Sequence, residues 1–271
     1  MDAEEVLVWR FLHEDRYLGR RPNEQLPANS HPAIPGDALH ARSWNESTLY
    51  GLHGWRFIVP ALRHGRGLIA ARLCLSGECR TDKGNRIGAT DASVLWVADV
   101  THSLNNFAVL IAERTLLAER TAGREPDIRF WQFIEVRRAW LSGTASQQEL
   151  DAAIRAMRKA WQELVHGLSP VQEKWRSISR ESQLLEWEGN EQSSEERTNL
   201  RMQLRVVESQ MHPLYTTVMA ANVFSGIDID SPKVMQNLLV TWNLLQGLQA
   251  ETVVHELAER LDAEFGTRTG I

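Results

Sequence analysis

The chain has 271 residues, a net charge of -5, 43% apolar and 24% charged residues, and a mean hydropathy of -0.34. That composition is ordinary for a globular protein able to bury a sizeable core, and no apolar run of about 18 residues is present to span a membrane. The two cysteines, Cys74 and Cys79, exclude a disulfide framework and predict a reducing, cytoplasmic setting.

The acidic start MDAEEVLVWRFLHEDR lacks the basic-then-apolar pattern of a secretory leader. Within it, EVLVWRFL predicts a strand ending near His13. Residues 14–48 hold four prolines and no sustained period, which predicts a long loop with room for one short strand. A short strand is expected over 48–53. A short helix over 55–64 follows, with Pro60 confined to its first turns. LIAARLCL at 68–75 alternates as a strand does. The stretch SGECRTDKGNRIGATD reads as turn-rich, and SVLWVA at 93–98 as another strand.

After Asp99 the apolar spacing becomes helical. Helices are expected over 103–122 and 127–141. Ser146 and Glu149 form an S-x-x-E capping box, in which each side chain satisfies a backbone N–H of the other residue. The helix it opens is expected to end at Gly167 and Pro170. Another is expected over 171–188, then a polar linker, then a long helix from about 194 broken at Pro213. Ser231-Pro232 starts a helix by placing proline at its first position, and a last helix ends at Gly266. The predicted class is α+β: a small N-terminal mixed α/β sheet module over 1–102, then an all-helical bundle over 103–271. Packing of the helices back onto the sheet as one domain is the alternative.

Charge is uneven. Residues 1–145 carry 18 basic and 17 acidic side chains, and residues 146–271 carry 12 and 18. Bulk attraction to nucleic acid is not expected from such a balance. Trp131, Trp140, Trp161, Trp175, Trp187 and Trp242 fall on predicted helices. Most are expected in the core, with a subset free to line a partner groove. The helical part therefore reads as a module for a protein partner or for self-association.

Four strings carry a resemblance: VWRFLHEDRYLG, YGLHGW, LIAARLCLSGE and ATDASVLWVAD. Together they resemble a family of uncharacterised bacterial and phage proteins with a WxFL…LG start, a GLHAS or GFHAC motif, a VxLxGE strand and a TVLWMAD strand. The likeness covers residues 6–110. Gly54-Trp55 stands where the family often has Ala-Ser, and the helical half is not covered. The resemblance implies a bacterial or phage accessory protein and no particular activity. It draws attention to Gly51, Leu52, His53 and Trp55 as a ligand-binding segment.

The order of parts is also similar to ADP-ribosyltransferases. That resemblance implies NAD as cofactor. His13 at the end of the first strand would hold the ribose, Tyr50 or His53 would flank the nicotinamide, and Asp91 or Glu78 would be the carboxylate acting at the reacting ribose. The plain structural readings are a core-edge His53 whose ring bonds a backbone carbonyl, a His13-Glu14-Asp15 surface turn, and solvated Glu78 and Asp91. Arg16, Arg20 and Arg21, with Arg56, Arg63 and Arg66, form either a solvated basic face or a seat for a phosphate-bearing ligand. Nucleic acid held by these arginines is a third reading. No His or Cys pairing has zinc-site spacing, and neither a P-loop nor a G-x-S-x-G elbow is present. The balance favours an interaction protein over an enzyme, with no cofactor or metal expected.

Overall fold

The architecture was derived from a computed structural model, which describes residues 5–18, 31–41, 52–188, 193–222, 224, 231–246 and 250–266. By its contacts the chain divides into two compact units: Met1–Ala108 with Gly226–Ile271, and Val109–Ser225. The α+β reading holds as a sheet in the N-terminal half and helices beyond it. The units do not follow the expected boundary at 102/103. The last two helices group with the first unit because Pro232–Gln246 packs on the short helix Ile58–Arg63 and Ala250–Phe265 packs on the strand Arg86–Asp99, long-range pairings that local periodicity does not encode.

Among the described residues the first unit has seven strands: β1 (Val6–Leu12), β2 (Tyr17–Leu18), β3 (His31–Pro32), β4 (Ala38–His40), β5 (Leu52–Trp55), β6 (Ile69–Thr81) and β7 (Arg86–Asp99). All pairings are antiparallel. β7 runs along β6 on one side and meets β5 and then β4 on the other. β1 pairs with β6 from Val6↔Leu75 to Leu12↔Ile69, and touches β5 at Trp9↔Trp55. The pairings β1–β6–β7–β5–β1 thus close a ring. Strand alternation turns Val8, Leu12, Leu52, Ile69, Ala71, Leu73, Leu75, Ile87 and Val94 to one continuous buried cluster.

The segment expected to be turn-rich is a long β-hairpin. Only Asp82–Asn85 turns, with the Asp82 carboxylate accepting from the N–H groups of Gly84 (2.8 Å) and Arg86 (3.0 Å). Polar residues hide these strands because that part of the hairpin is exposed on β6. A bulge near Gly77, at φ 76°, takes up the register shift; it is the conformation glycine tolerates best.

The other sheet face carries Trp9, Phe11, Arg72 and Trp96. Trp9 meets Trp96 edge-on at 5.6 Å, and the Arg72 guanidinium lies 4.4 Å from the Trp9 ring centre. Helix α1 (Ile58–Arg63) has Pro60 in its first turn, as expected. Three later helices are α2 (Thr101–Thr121), α6 (Pro232–Gln246) and α7 (Ala250–Phe265). From α7, Asp262 accepts from the Trp96 indole N–H at 3.1 Å and Phe265 meets the same ring at a tilt, with centroids 5.5 Å apart.

The second unit holds the rest of α2 with α3 (Ile128–Leu141), α4 (Gln147–Glu188) and α5 (Ser193–Asn222). The capping box forms as expected: Glu149 accepts from the Ser146 N–H at 2.7 Å, and the Glu149 N–H donates to the Ser146 hydroxyl at 3.3 Å. The expected stops fail. α4 runs through Gly167 and Pro170, and α5 runs through position 213. Tertiary packing outweighs local propensity here, because Leu168, Ile178, Leu200 and Val207 are buried along the α4–α5 pair. Of the helical tryptophans, the side chains of Trp187 and Trp242 lie outside those described, and the other four differ from expectation. Trp131, Trp140, Trp161 and Trp175 are half-buried rather than core. Arg120 lies 4.7 Å from the Trp131 ring centre and Arg137 4.7 Å from that of Trp140. Trp140 and Trp175 donate to Gln147 and Glu208 at 3.1 and 3.2 Å. Indoles with a polar partner favour the rim over the interior.

Candidate functional site

Strand β5 is the Leu-His-Gly-Trp part of the motif. Leu52 and Gly54 are buried, and His53 and Trp55 are half-buried. Gly54 has no room for a side chain: a Cβ there would lie 2.5 Å from Val8 Cγ2 and 3.0 Å from the Trp9 carbonyl oxygen. The glycine is what lets β5 approach β1. It thereby fixes the positions of His53 and Trp55.

Next to Gly54 across that approach lies Arg10. It sits between Val8 and Leu12 in the strand alternation and opposite Ala71 on β6, yet only 6% of its surface is exposed. Its Nη1 donates to the His53 carbonyl at 3.2 Å, and its guanidinium lies 5.6 Å from the Trp55 ring centre. Burial, then the neighbouring Arg66 and Arg86 charges, lower its pKa to about 10. Among the described residues no carboxylate is paired with it. Trp55 is stacked on His64 at 5.1 Å with a 7° interplanar angle, and the His53 ring meets it edge-on at 6.0 Å. Arg86, opposite Trp55 on β7, has Asp82 at 3.9 Å. Two guanidiniums, Arg10 and Arg86, and two imidazoles therefore lie around one indole, with Arg10 buried. Such a grouping has the chemistry to hold an anion.

The residues expected from the sequence divide. His53 and Trp55 belong to this cluster, Leu52 lies in the apolar core beside it on β5, and Arg66 is exposed. Arg63 is exposed in the last turn of α1. Tyr50, Gly51, Arg20 and Arg21 lie outside the described residues. The expected set of His13, His53 and Asp91 or Glu78 does not converge. His13 follows the Leu12↔Ile69 pair, whereas Asp91 pairs with Ser76, so roughly 23 Å of β6 separates those levels. His13 is exposed beside Asp15 at 3.8 Å. Asp91 accepts from His40 Nδ1 at 2.6 Å and from the Thr90 hydroxyl at 2.7 Å. Those two bonds, His40 first, hold its carboxyl below the ordinary carboxylate range. The Glu78 N–H donates to Thr90 Oγ1 at 3.0 Å, and the residue is exposed. The His53 main-chain carbonyl accepts from Arg10.

Sequence reasoning missed Arg10, Arg86 and His64. Two signals were available. One is an arginine at an inward position of an otherwise apolar strand. The other is the run Ser47–Gly77, which holds Arg56, Arg63, Arg66 and Arg72 with no aspartate or glutamate. Both cysteines are poor nucleophile candidates, since burial pushes both thiols up, reinforced by Glu5 at Cys74 and by Asp91 at Cys79. Among the described residues no group of three His, Cys, Asp or Glu side chains is placed to hold a metal, and no helix is long and apolar enough to cross a membrane. No protein-family model, curated protein or solved structure matches this chain.

Proposed function

We propose that the sheet unit is a binding module for an anionic, phosphate-bearing ligand seated on Arg10, and that the chain acts as an interaction or accessory protein and not as a catalyst. The observation that carries this reading is the buried Arg10 charge with no carboxylate paired to it among the described residues and with two further arginines acting on it. A bound oxyanion supplies the missing negative charge through charge-assisted hydrogen bonds. The test is a thermal shift on the full chain. Sulfate or inorganic phosphate at about 100 times its dissociation constant stabilises the folded state by about 2.7 kcal/mol, and Arg10→Met removes the response. Equal responses in both proteins would end the proposal.

The geometry gives the NAD-transferase reading no support, because His13 and the candidate carboxylates lie at different levels of the sheet. For the helical unit we propose self-association. The support is α5, where Met202 and Val206 lie one turn apart and are 55% and 56% exposed. They edge a groove shared with Lys174, Asn199 and Val207. Size-exclusion with light scattering tests it, and a strict monomer at all concentrations removes it.

A further inference from the structure

Only residues 189–192 separate α4 from α5, so α5 runs back antiparallel along it. Between them the two helices bury Ile178, Leu200 and Val207, with Val171, Trp175 and Leu204 packed alongside. One side of this hairpin is unlike an ordinary solvated helix surface. On α5, Asn199, Met202, Gln203, Val206, Ser209 and Gln210 are all exposed and recur at three- and four-residue spacing, so they share one face. None is charged. Arg201, Arg205 and Glu208 follow the same spacing on the opposite face. An exposed stripe with two large apolar side chains and no charge over about three turns has the composition of an interface core.

The α4 side of the same groove carries charge in a particular order. Lys174 lines the groove, and Glu181, seven residues on, lies two turns along the same face. Both are exposed. The bond from the Trp175 indole N–H to Glu208, at 3.2 Å, sets the level of one helix against the other. The midpoint between Lys174 and Glu181, at Ser177 and Ile178, therefore stands level with Arg205 and Val206, within the span of the uncharged stripe. A two-fold axis crossing both helices at this level lays α4 against α4 and α5 against α5 of a second copy. It sets Lys174 opposite Glu181 of the second copy, and does so twice, as an isologous contact requires. The same axis sets the uncharged stripe against itself. One symmetry operation thus matches charge on one helix and its absence on the other, a coincidence that a foreign partner does not call for.

We infer, on the self-association reading above, that the occupant of this groove is the α4–α5 hairpin of a second copy, stacked antiparallel to give a four-helix arrangement. Met202 and Val206 supply its apolar centre, and Lys174 with Glu181 fixes the register.

The experiment is sedimentation equilibrium of the full chain as wild type, Lys174→Glu, Glu181→Lys and the double reversal, each first checked for unchanged helical circular dichroism. The expected result is a wild-type dimer. Each single reversal weakens it about tenfold or more, because like charges then face each other twice. The double reversal recovers the wild-type affinity. A mixture of the two single variants, one carrying a fluorophore, forms a heterodimer as tight as wild type, since each offers the charge the other lacks. If wild type dimerises and both single variants dimerise equally well, the antiparallel geometry is overturned while self-association stands. The same holds if neither the double reversal nor the mixture recovers affinity. If wild type is a strict monomer at all concentrations, both are overturned.

Discussion

Replacing Arg10 by methionine should stabilise the protein in the absence of anions. Keeping the guanidinium charged at neutral pH when its pKa is lowered to about 10, well below the ordinary arginine value, costs on the order of 3 kcal/mol. The sign follows from linkage. The unfolded chain holds this proton more tightly, so the penalty is present in full below about pH 10 and is relieved as pH rises above it. Methionine removes the charge and keeps most of the stem's packing. It forfeits the hydrogen bond to the His53 carbonyl, about 1 kcal/mol, and the contact with Trp55, about 0.5–1 kcal/mol. The net expectation is a gain of about 1–2 kcal/mol, in line with other buried charges exchanged for apolar groups. Urea unfolding followed by tryptophan fluorescence, at neutral pH in buffer free of phosphate and sulfate, measures it. Saturating inorganic phosphate should then reverse the order, lifting wild type above the variant. A variant less stable than wild type by 1 kcal/mol or more without anions would mean that the folded protein already compensates the Arg10 charge, and the reasoning would be refuted.

Two other perturbations probe the frame of the site and its surroundings. Gly54→Ala places a Cβ 2.5 Å from Val8 Cγ2; a loss of about 1–3 kcal/mol in urea unfolding is expected, with weakened anion binding because β5 carries His53 and Trp55. Asp91 has a folded pKa below its ordinary value, so its bonds stabilise the fold above about pH 4 and lose that effect as pH falls through the lower folded value. Asp91→Asn should therefore show a shallower fall in urea midpoint between about pH 5 and about pH 3 than wild type. Because the carboxylate is substantially exposed the difference will be small, and an identical pH slope would count against the His40–Asp91 contact.

What the sequence made legible was local. β1, the helical period after Asp99, the Ser146–Glu149 box and the Ser231-Pro232 start need only neighbours within a few residues, and each is found where expected. The exposed half of the β6–β7 hairpin was not legible, since its polar residues carry no alternation and its order comes from the ladder of Cys79↔Ala89, Arg80↔Gly88 and Thr81↔Ile87. Pro170 read as a stop because its local cost is real, whereas the burial that overrides it comes from a helix more than 20 residues later. For the site the division is similar. The GLH segment drew attention to His53 and Trp55 by itself. Arg10 acquires its meaning only when β1 is laid beside β5, 43 residues on, and Arg86 only when β7 closes the ring.

The placement of Arg10 is the clearest conflict in the first unit between what the fold favours and what the chain carries. An inward strand position flanked by Val8 and Leu12 calls for an aliphatic residue, and the local geometry makes space for something larger. The neighbour opposite on β6 is Ala71, and the Trp9↔Trp55 pairing sets Gly54 beside Arg10 on β5. Small residues on both sides leave room for a long side chain to reach the His53 carbonyl. The arginines that act on it, Arg66 and Arg86, raise the cost of the buried charge where an acidic residue at either position would have lowered it. Departures of this kind from otherwise consistent patterning concentrate at functional positions. On the proposed anion-binding reading, a charge that is unfavourable by itself and that a bound anion would make favourable would couple occupancy of the site directly to the stability of the closed sheet.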